Sequence, residues 1–240
     1  MTDTETETQK ETKTEMETET KKAVGLFSGG KDSTYAIYET DSRDEYDVDT
    51  VVSVHARENS KMYHVPAIDL TSLAVEAMVE DRRLVTVETS DEDDELPPLR
   101  ETLEDLSPDA VVVGAVESEY QRSRVESICD GIGAELVAPL WHCDTSETMR
   151  KIVEEFEVMV IGVAAGGLDE SWLGRVLDSD DIDELESLND EYGVHVMGEG
   201  GEFETMVLGG PHMNSEIELD YEKNWDGMRG EILIEDARLR

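Results

Sequence analysis

The chain alternates between two apolar periodicities from residue 23 to about residue 138. Short apolar runs of strand length are separated by segments whose apolar residues recur at helical spacing. Strands are predicted at residues 23–27, 50–54, 84–87, 110–116 and near residue 136. Four helices are predicted between these strands. The first begins near Ser33, and the fourth surrounds residues 125–129. The second contains Leu70, Leu73, Ala74, Ala77 and Met78, and the third places Leu99, Leu103 and Leu106 on one face.

This alternation predicts an α/β fold with a doubly wound, mostly parallel, Rossmann-like sheet. The run at residues 110–116 is almost wholly apolar, which is typical of a parallel strand covered by helices on both faces. Ligands of such sheets bind in the crevice at the carboxyl ends of the strands. We therefore expect the loops after the first, second and fourth strands to form the binding site.

The pattern changes at Pro139. A helix is predicted at residues 145–156, a strand at 158–163 and a short helix ending near Tyr192, and the rest of the chain is rich in β-type residues and glycine. We therefore predict a smaller α/β C-terminal domain over residues 139–240, which follows a larger domain over residues 23–138.

The N-terminal 22 residues form a Thr/Glu-rich segment with 7 acidic and 4 basic side chains. Its low apolar content predicts a disordered tail. The formal net charge of the chain is -40 and that of this segment is -3. Residues 23–240 therefore carry about -37, and they contain only four of the eight lysines. We interpret this surface as an adaptation to a cytoplasm of molar salt, where the Debye length falls to about 3 Å and self-repulsion is screened.

Composition also excludes several classes of protein. No stretch approaches the roughly 18 uninterrupted apolar residues of a membrane span, so a protein without membrane partners, located in the cytoplasm, is expected. The negative charge argues against an extended nucleic-acid surface, because phosphates would be repelled. Cys129 and Cys143 are too few for a disulfide framework and are expected to be reduced packing residues. The sequence leaves the oligomeric state open, a homo-oligomer included.

The first predicted strand runs directly into the sequence Ser-Gly-Gly-Lys-Asp-Ser at residues 28–33. Two glycines allow close approach of an anion, the following helix directs its N–H groups at that anion, and Lys31 adds a positive charge. A phosphate site is therefore predicted, and a purely structural Gly-rich turn is the alternative. The spacing of Gly25 and Gly30-Lys31 imitates a Walker A loop, but Gly25 falls inside the strand and Asp32 replaces the magnesium-binding hydroxyl.

The segment at residues 28–33 resembles the pyrophosphate loop of the N-type ATP pyrophosphatases, which have an adenine nucleotide α-hydrolase type of fold. The resemblance implies that ATP is bound and cleaved between its α- and β-phosphates. It also implies roles for individual residues: Ser28, Gly29, Gly30 and Lys31 hold pyrophosphate, Asp32 helps to position Mg²⁺, and Ser33 completes the loop.

Further segments, in the same order along the chain, resemble the diphthine-ammonia ligase family. They lie at residues 60–64, 114–124, 139–141 and 198–205, and the resemblance covers roughly residues 23–211. It implies ATP-dependent amidation of diphthine on elongation factor 2 by ammonium. In that reaction the diphthine carboxylate attacks the α-phosphate, pyrophosphate is released, and ammonia then displaces AMP.

Several residues of the segment 114–124 are candidates for the site. Arg122 and Arg124 are predicted to lie in the loop after the fourth strand and to bind phosphate or carboxylate. Arg122 is expected to act with Lys31 and Asp32 as a catalytic residue, and Arg124 to bind the substrate. Surface ion pairing with the abundant acids is the alternative. Gly114 is expected to contact the nucleotide, and Tyr120 and Gln121 to orient nucleotide or substrate. His64, in an earlier segment, is either a local structural residue or a ligand contact.

The segment Gly-Glu-Gly-Gly-Glu-Phe-Glu-Thr at residues 198–205 places three carboxylates around flexible glycines. The diphthine substrate implied by the resemblance carries a trimethylammonium cation, which carboxylates can balance, and a carboxylate can also deprotonate ammonium. Trp141 or Phe203 could present a π-face to the cation. Glu199 and Glu202 are predicted to face the crevice with Gly200 and Gly201, Glu202 as a catalytic residue, and Glu204 to share a face with Glu202.

Two other functions remain open at this point. One is a tRNA-modifying pyrophosphatase of the same superfamily, although neither a basic surface nor a catalytic cysteine pair is visible. The other is a module that senses adenine nucleotides without chemistry. The products distinguish them, because a ligase forms AMP and pyrophosphate, a Walker-type enzyme forms ADP, and a sensor forms neither.

Overall fold

The computed structural model describes residues 20–55, 70–78, 82–88 and 96–240. The predicted tail, apart from residues 20–22, and the segment 60–64 with His64 lie outside these ranges. The predictions made for them therefore stay predictions.

The first part of the chain forms a five-stranded sheet with the strand order β3-β2-β1-β4-β5, and its neighbouring strands run parallel. This confirms the predicted doubly wound α/β fold. The strands are β1 (Lys21–Leu26), β2 (Tyr46–His55), β3 (Arg83–Glu88), β4 (Ala110–Val112) and β5 (Glu135–Val137). The helices are α1 (Lys31–Asp41), α2 (Thr71–Glu76), α3 (Leu96–Leu106) and α4 (Glu119–Ile132).

The middle of β1 and the whole of β4 are buried because both faces of the sheet are covered. Successive residues of β1 point to opposite sides, so Ala23 belongs to one apolar cluster and Val24 to the other. Leu99 and Leu103 of α3 pack in the cluster of Val24, whereas Ile37 of α1 packs with Ala23. The cluster on the α1 side continues into the second part of the chain, so one core joins the two parts.

The second part has a four-stranded antiparallel sheet with the strand order β7-β6-β9-β8. Its elements are α5 (Thr145–Glu155), β6 (Glu157–Val163), α6 (Ser179–Tyr192), β7 (Phe203–Gly209), β8 (Ile217–Trp225) and β9 (Gly230–Leu239). The boundary near Pro139 stays a prediction. Within the described ranges, no helix combines the length and the apolar character needed to cross a bilayer.

Two element boundaries near the loop at residues 28–33 differ from the predictions. β1 begins at Lys21, two residues earlier than predicted, and therefore includes residues that were assigned to the tail. Lys21 is held there because its ammonium contacts the carboxylates of Glu45 and Glu135. Helix α1 begins at Lys31 instead of near Ser33, so the lysine is the first helical residue.

A third difference concerns the segment after β4. The strand ends at Val112, and α4 begins at Glu119 because the Ser118 hydroxyl caps it by accepting a hydrogen bond from the Gln121 backbone. Arg122 and Arg124, predicted in a loop, therefore lie in the first two turns of a helix. A helix fixes the directions of these side chains more tightly than a loop would.

Candidate active site

The loop between β1 and α1 presents a helix N-terminus at the carboxyl edge of the parallel sheet. Gly29 has a φ of +82°, a conformation that favours glycine. Gly30 is the N-cap residue and offers no side chain to the first turn of α1. The hydroxyls of Ser28 and Ser33 lie 3.1 Å apart beside it. Such a helix end, lined by hydroxyls, is suited to bind an anion.

Gly114 allows α1 to lie against the segment that follows β4. A Cβ atom at this position would come within 2.6 Å of the Asp32 carbonyl carbon and of the Ser33 nitrogen. Both neighbours are backbone atoms and cannot turn away. The structure thus places Gly114 directly behind the first turn of α1, where a glycine is required for packing.

A pocket opens at this helix end and has walls from both parts of the chain. Its volume is about 80 Å³, which suits a phosphate group and is smaller than the roughly 300–1,000 Å³ of sites that enclose a whole small molecule. The lining residues are Ser28, Gly30, Lys31, Asp32, Ser33, Gly198, Phe203, Glu204 and Thr205. The pocket therefore brings the loop 28–33 together with the segment 198–205, which lies far away in sequence.

Lys31 joins the two walls. Its side chain is only 3% exposed, and its ammonium donates hydrogen bonds to the Met197 carbonyl at 2.6 Å and to Asp32 Oδ2 at 2.8 Å. Its backbone nitrogen donates to Thr205 Oγ1 at 3.2 Å. The ammonium also lies 5.5 Å from the centre of the Phe203 ring. A buried cation held in this way supplies positive charge to the pocket without being free to leave it.

Asp32 has one oxygen engaged and one free. Oδ2 accepts the hydrogen bond from Lys31, while Oδ1 is buried and receives no hydrogen bond from any residue in the described ranges. A buried carboxylate oxygen without a donor fits a hard cation such as Mg²⁺, which prefers oxygen ligands and keeps several waters. The described residues contain no cluster of three or more His, Cys, Asp or Glu side chains suited to a metal, so the protein would supply few of the ligands.

Two of the three glutamates in the segment 198–205 bind backbone N–H groups. Glu199 Oε1 accepts from the Ser118 nitrogen at 2.9 Å and from the Glu117 nitrogen at 3.1 Å, and so ties this segment to the start of α4. Glu202 accepts from the Gly200 nitrogen at 2.8 Å and from the His195 nitrogen at 3.1 Å, within its own loop. Neither of these two residues lines the pocket.

Glu204 is the glutamate that reaches the pocket. Burial raises the pKa of its carboxyl to about 7; the positive charge of Lys31 opposes this shift and the negative charge of Asp32 adds to it. No hydrogen bond from a residue in the described ranges reaches its carboxylate. Glu204 is partly buried, whereas the other residues of β7 are buried.

The predicted residues of α4 form a separate group outside the pocket lining. Arg122 stacks on the Trp141 ring at 4.9 Å and pairs with Glu126 at 3.0 Å. Arg124 stacks on Tyr120, also at 4.9 Å, and its Nε is buried without a partner among the described residues. The ion pair of Arg122 agrees with the surface alternative for this residue, whereas Arg124 has no carboxylate partner in the described ranges.

Sequence reasoning missed Thr205, Met197 and His195. Thr205 carried a usable signal, because it is a hydroxyl inside an apolar strand of the segment 198–205. His195 Nδ1 accepts from the nitrogens of Met197 and Glu199 and shapes the turn before that segment. Met197 acts through its backbone carbonyl, which leaves no signal in the sequence.

Fold and site together define a doubly wound α/β protein whose glycine-rich anion loop is completed by a second, antiparallel unit. The chain belongs to the diphthamide synthase family: the model of the diphthamide synthase N-terminal domain matches residues 21–136, and that of the C-terminal domain matches residues 144–239.

Relatives with curated names agree with this family. The chain is 33% identical over 223 residues to a human diphthine–ammonia ligase, with 83% of each chain covered. It is 32% identical over 228 residues to the Saccharomyces cerevisiae diphthine–ammonia ligase, covering 79% of this chain and 33% of the yeast protein. The chain thus spans about a third of the yeast relative but most of the human one.

A solved structure is also similar to part of the chain. It is a predicted subunit of a tRNA methyltransferase from Methanocaldococcus jannaschii, with 14% identity and a TM-score of 0.40, and the alignment covers 80% of this chain and 100% of that chain.

Proposed function

We propose that this chain catalyses the ATP-dependent amidation of diphthine on elongation factor 2, with ammonium as the nitrogen donor and AMP and pyrophosphate as products. Membership of the diphthamide synthase family and the names of its relatives support this reaction. The observation that carries the proposal is the pocket in which the loop 28–33 meets the segment 198–205. A polyphosphate and the group that it activates can meet there.

The loop 28–33 holds the polyphosphate in this proposal. The α1 N-terminus and the backbone of Gly29 and Gly30 bind phosphate oxygens, and the hydroxyls of Ser28 and Ser33 add donors. Lys31 neutralises charge that develops on the pyrophosphate as the α-phosphate is attacked. Its hydrogen bond to the Met197 carbonyl keeps the ammonium in position, so little reorganisation is needed.

Asp32 would hold Mg²⁺ through the free oxygen Oδ1. When bound, the ion would neutralise phosphate charge and orient the leaving pyrophosphate. Lys31 fixes the other oxygen of Asp32 at 2.8 Å, so the aspartate keeps Oδ1 directed away from the lysine.

The substrate is proposed to lie across α4 and the segment 198–205. Arg124 and Arg122 attract a carboxylate or phosphate, and Tyr120, Gln121 and Trp141 form the adjoining wall. Tyr120 is half exposed and therefore accessible to a protein substrate. Glu199 and Glu202 shape this surface by holding the turn at Gly200-Gly201, and a direct catalytic role of Glu202 stays a prediction.

The acidic composition is proposed to reflect work in a cytoplasm of high salt. The formal charge of -40 would repel an acidic protein partner at low ionic strength, and salt screens this repulsion. Turnover on the protein substrate is therefore expected to need more salt than nucleotide binding does.

Product analysis tests the proposed function. The purified chain is incubated with diphthine-bearing elongation factor 2, ATP and ammonium in molar KCl, and AMP, pyrophosphate and amidated factor are expected in equal amounts. Lys31→Met should lower the rate at least about 100-fold, the usual loss when a preorganised charge is removed. The matched control Lys223→Met alters an exposed lysine of β8 and should leave the rate unchanged.

Three outcomes contradict this proposal. Formation of ADP would indicate a different phosphoryl chemistry. Formation of AMP that depends on tRNA instead of the factor would indicate the RNA-modifying alternative. Nucleotide binding without any product would indicate a sensor.

A further inference from the structure

The three glutamates of the segment 198–205 are not equivalent. The carboxylates of Glu199 and Glu202 each accept two backbone hydrogen bonds. Both carboxylates are therefore already engaged in holding the backbone of the second part of the chain and of the start of α4. Neither side chain lines the pocket, so neither is placed to take a proton there.

Glu204 differs in both respects. Its side chain lines the pocket beside the loop 28–33, and no residue in the described ranges donates a hydrogen bond to it. Among the described residues, the charges of Lys31 and Asp32 act on its carboxyl. The ammonium of Lys31 is already bound to the Met197 carbonyl and to Asp32, so Glu204 remains available to a cationic ligand.

We propose that Glu204 binds the incoming ammonium ion and takes its proton, which makes it the base of the amidation step. This inference rests on the proposed function and assigns a residue to its second half. It places the nitrogen donor beside the loop 28–33, on the wall of the pocket contributed by β7.

The step is balanced as follows. An N–H bond of ammonium breaks and its proton goes to the Glu204 carboxylate. The nitrogen lone pair attacks the carbonyl carbon of the adenylated diphthine, the bond from that carbon to the phosphate oxygen breaks, and AMP leaves with the electron pair. A second proton moves from the nitrogen to the departing AMP phosphate, and the neutral amide remains.

Burial suits Glu204 to this role in two ways. A carboxylate in a poorly solvated pocket attracts a small cation more strongly than one in water. The same burial raises its pKa to about 7, and a base whose pKa lies near the working pH transfers protons efficiently.

A comparison of two nucleophiles tests the assignment. Ammonium is almost wholly protonated near pH 7, whereas hydroxylamine is largely neutral and needs no base to release its lone pair. For Glu204→Gln we expect kcat/KM for ammonium to fall about 100-fold or more, the usual contribution of a general base. Hydroxamate formation from hydroxylamine should change little, and so should ATP affinity.

Two further variants complete the experiment. Glu222→Gln, an exposed glutamate of β8, is the matched control and should behave as wild type with both nucleophiles. Glu204→Asp keeps a carboxylate and should retain more ammonium-dependent activity than Glu204→Gln. Its retention would show that the charge matters and not only the shape of the side chain.

The possible results separate the base from other roles. Equal losses with ammonium and hydroxylamine would overturn the assignment, because a residue that holds magnesium or shapes the pocket affects both nucleophiles. Wild-type rates of Glu204→Gln with ammonium would also overturn it. If the wild-type chain forms no AMP with either nucleophile, the proposed function fails, and the assignment of Glu204 fails with it.

Discussion

Glu199 Oε1 lies 2.9 Å from the backbone nitrogen of Ser118, so a carboxylate of the second unit binds the N-terminal end of α4 in the first unit. This arrangement is favourable because the helix end carries partial positive charge and N–H groups without helical acceptors. The bond fixes the segment 198–205 against the parallel sheet, and through it the wall of the pocket that contains Glu204.

Replacement of Glu199 should loosen this junction. Glu199→Ala removes the acceptor of two N–H groups and is expected to lower the free energy of unfolding by about 1–2 kcal/mol, as for the loss of a helix cap. Urea denaturation measures the change. Glu222→Ala should leave the midpoint within error, and an equal shift in both variants would contradict a specific role of Glu199.

Gly114 and Gly166 offer a matched pair of glycines. Gly114→Ala would force a methyl group into the backbone of Asp32 and Ser33, and overpacking of this kind costs about 1–3 kcal/mol. Because α1 would move away from β4, ATP affinity should fall as well. Calorimetric titration with ATP and thermal unfolding measure the two effects.

Gly166 has no atom within 4 Å of an added Cβ, and its φ lies outside the left-handed region. Gly166→Ala should therefore bind ATP and unfold like wild type. A Gly114→Ala variant with unchanged affinity would show that α1 does not need its close contact with the segment after β4.

Thr205 tests the contact between β7 and the start of α1. In Thr205→Val the Lys31 nitrogen loses the acceptor at 3.2 Å, and a buried N–H without a partner costs about 1–3 kcal/mol. Thr205→Ser keeps the hydroxyl and should recover most of this loss. In chemical denaturation the free energy of unfolding is expected to decrease from wild type to Thr205→Ser to Thr205→Val. Equal stability of the two variants would exclude the hydrogen bond as the cause.

Glu204 should make stability depend on pH. Its folded-state pKa of about 7 lies above the ordinary glutamate value of 4.5, so the native chain binds more protons than the unfolded chain between these values. Stability due to this group is therefore fully present below about pH 4.5 and is lost as the pH rises through about 7.

The variant Glu204→Gln lacks this titration. In the absence of nucleotide, the free energy of unfolding of Glu204→Gln relative to that of wild type should rise by about 2–3 kcal/mol from pH 5 to pH 8. Urea unfolding of both proteins at the two pH values provides the difference, in which the titrations of the other acids cancel. Parallel pH profiles would show that Glu204 titrates normally.

The fold was largely predictable because alternating periodicities of strand and helix leave few arrangements for a parallel sheet. The loop 28–33 was predictable because its signal is local. Glycines, a lysine and hydroxyls at the end of a first strand indicate a turn into a helix N-terminus that is suited to bind an anion. The start of α4 was also encoded, because Ser118 followed by Gln121 three residues later forms its cap. The apolar run at residues 110–116 obscured it, since the strand was extended past its end at Val112.

The roles of the three glutamates could not be predicted from their spacing. Glu199 accepts a hydrogen bond from the backbone of Ser118, which lies far away in sequence. Glu202 accepts one from the backbone of His195, which lies in the preceding turn. Glu204 became partly buried at the pocket because β7 packs beside the loop 28–33. Such differences arise from tertiary contacts, whereas the sequence shows only three similar side chains around two glycines.

The hydrogen bonds of Lys31 to Met197 and Thr205 connect positions 166 and 174 residues apart. Contacts of such long range form late, because their loop-closure entropy must be overcome first. During synthesis on the ribosome the parallel sheet can assemble while the partner residues of Lys31 are still missing. An unfinished chain therefore lacks the complete pocket, and under the proposed function ATP is expected to stabilise only chains whose translation has passed β7.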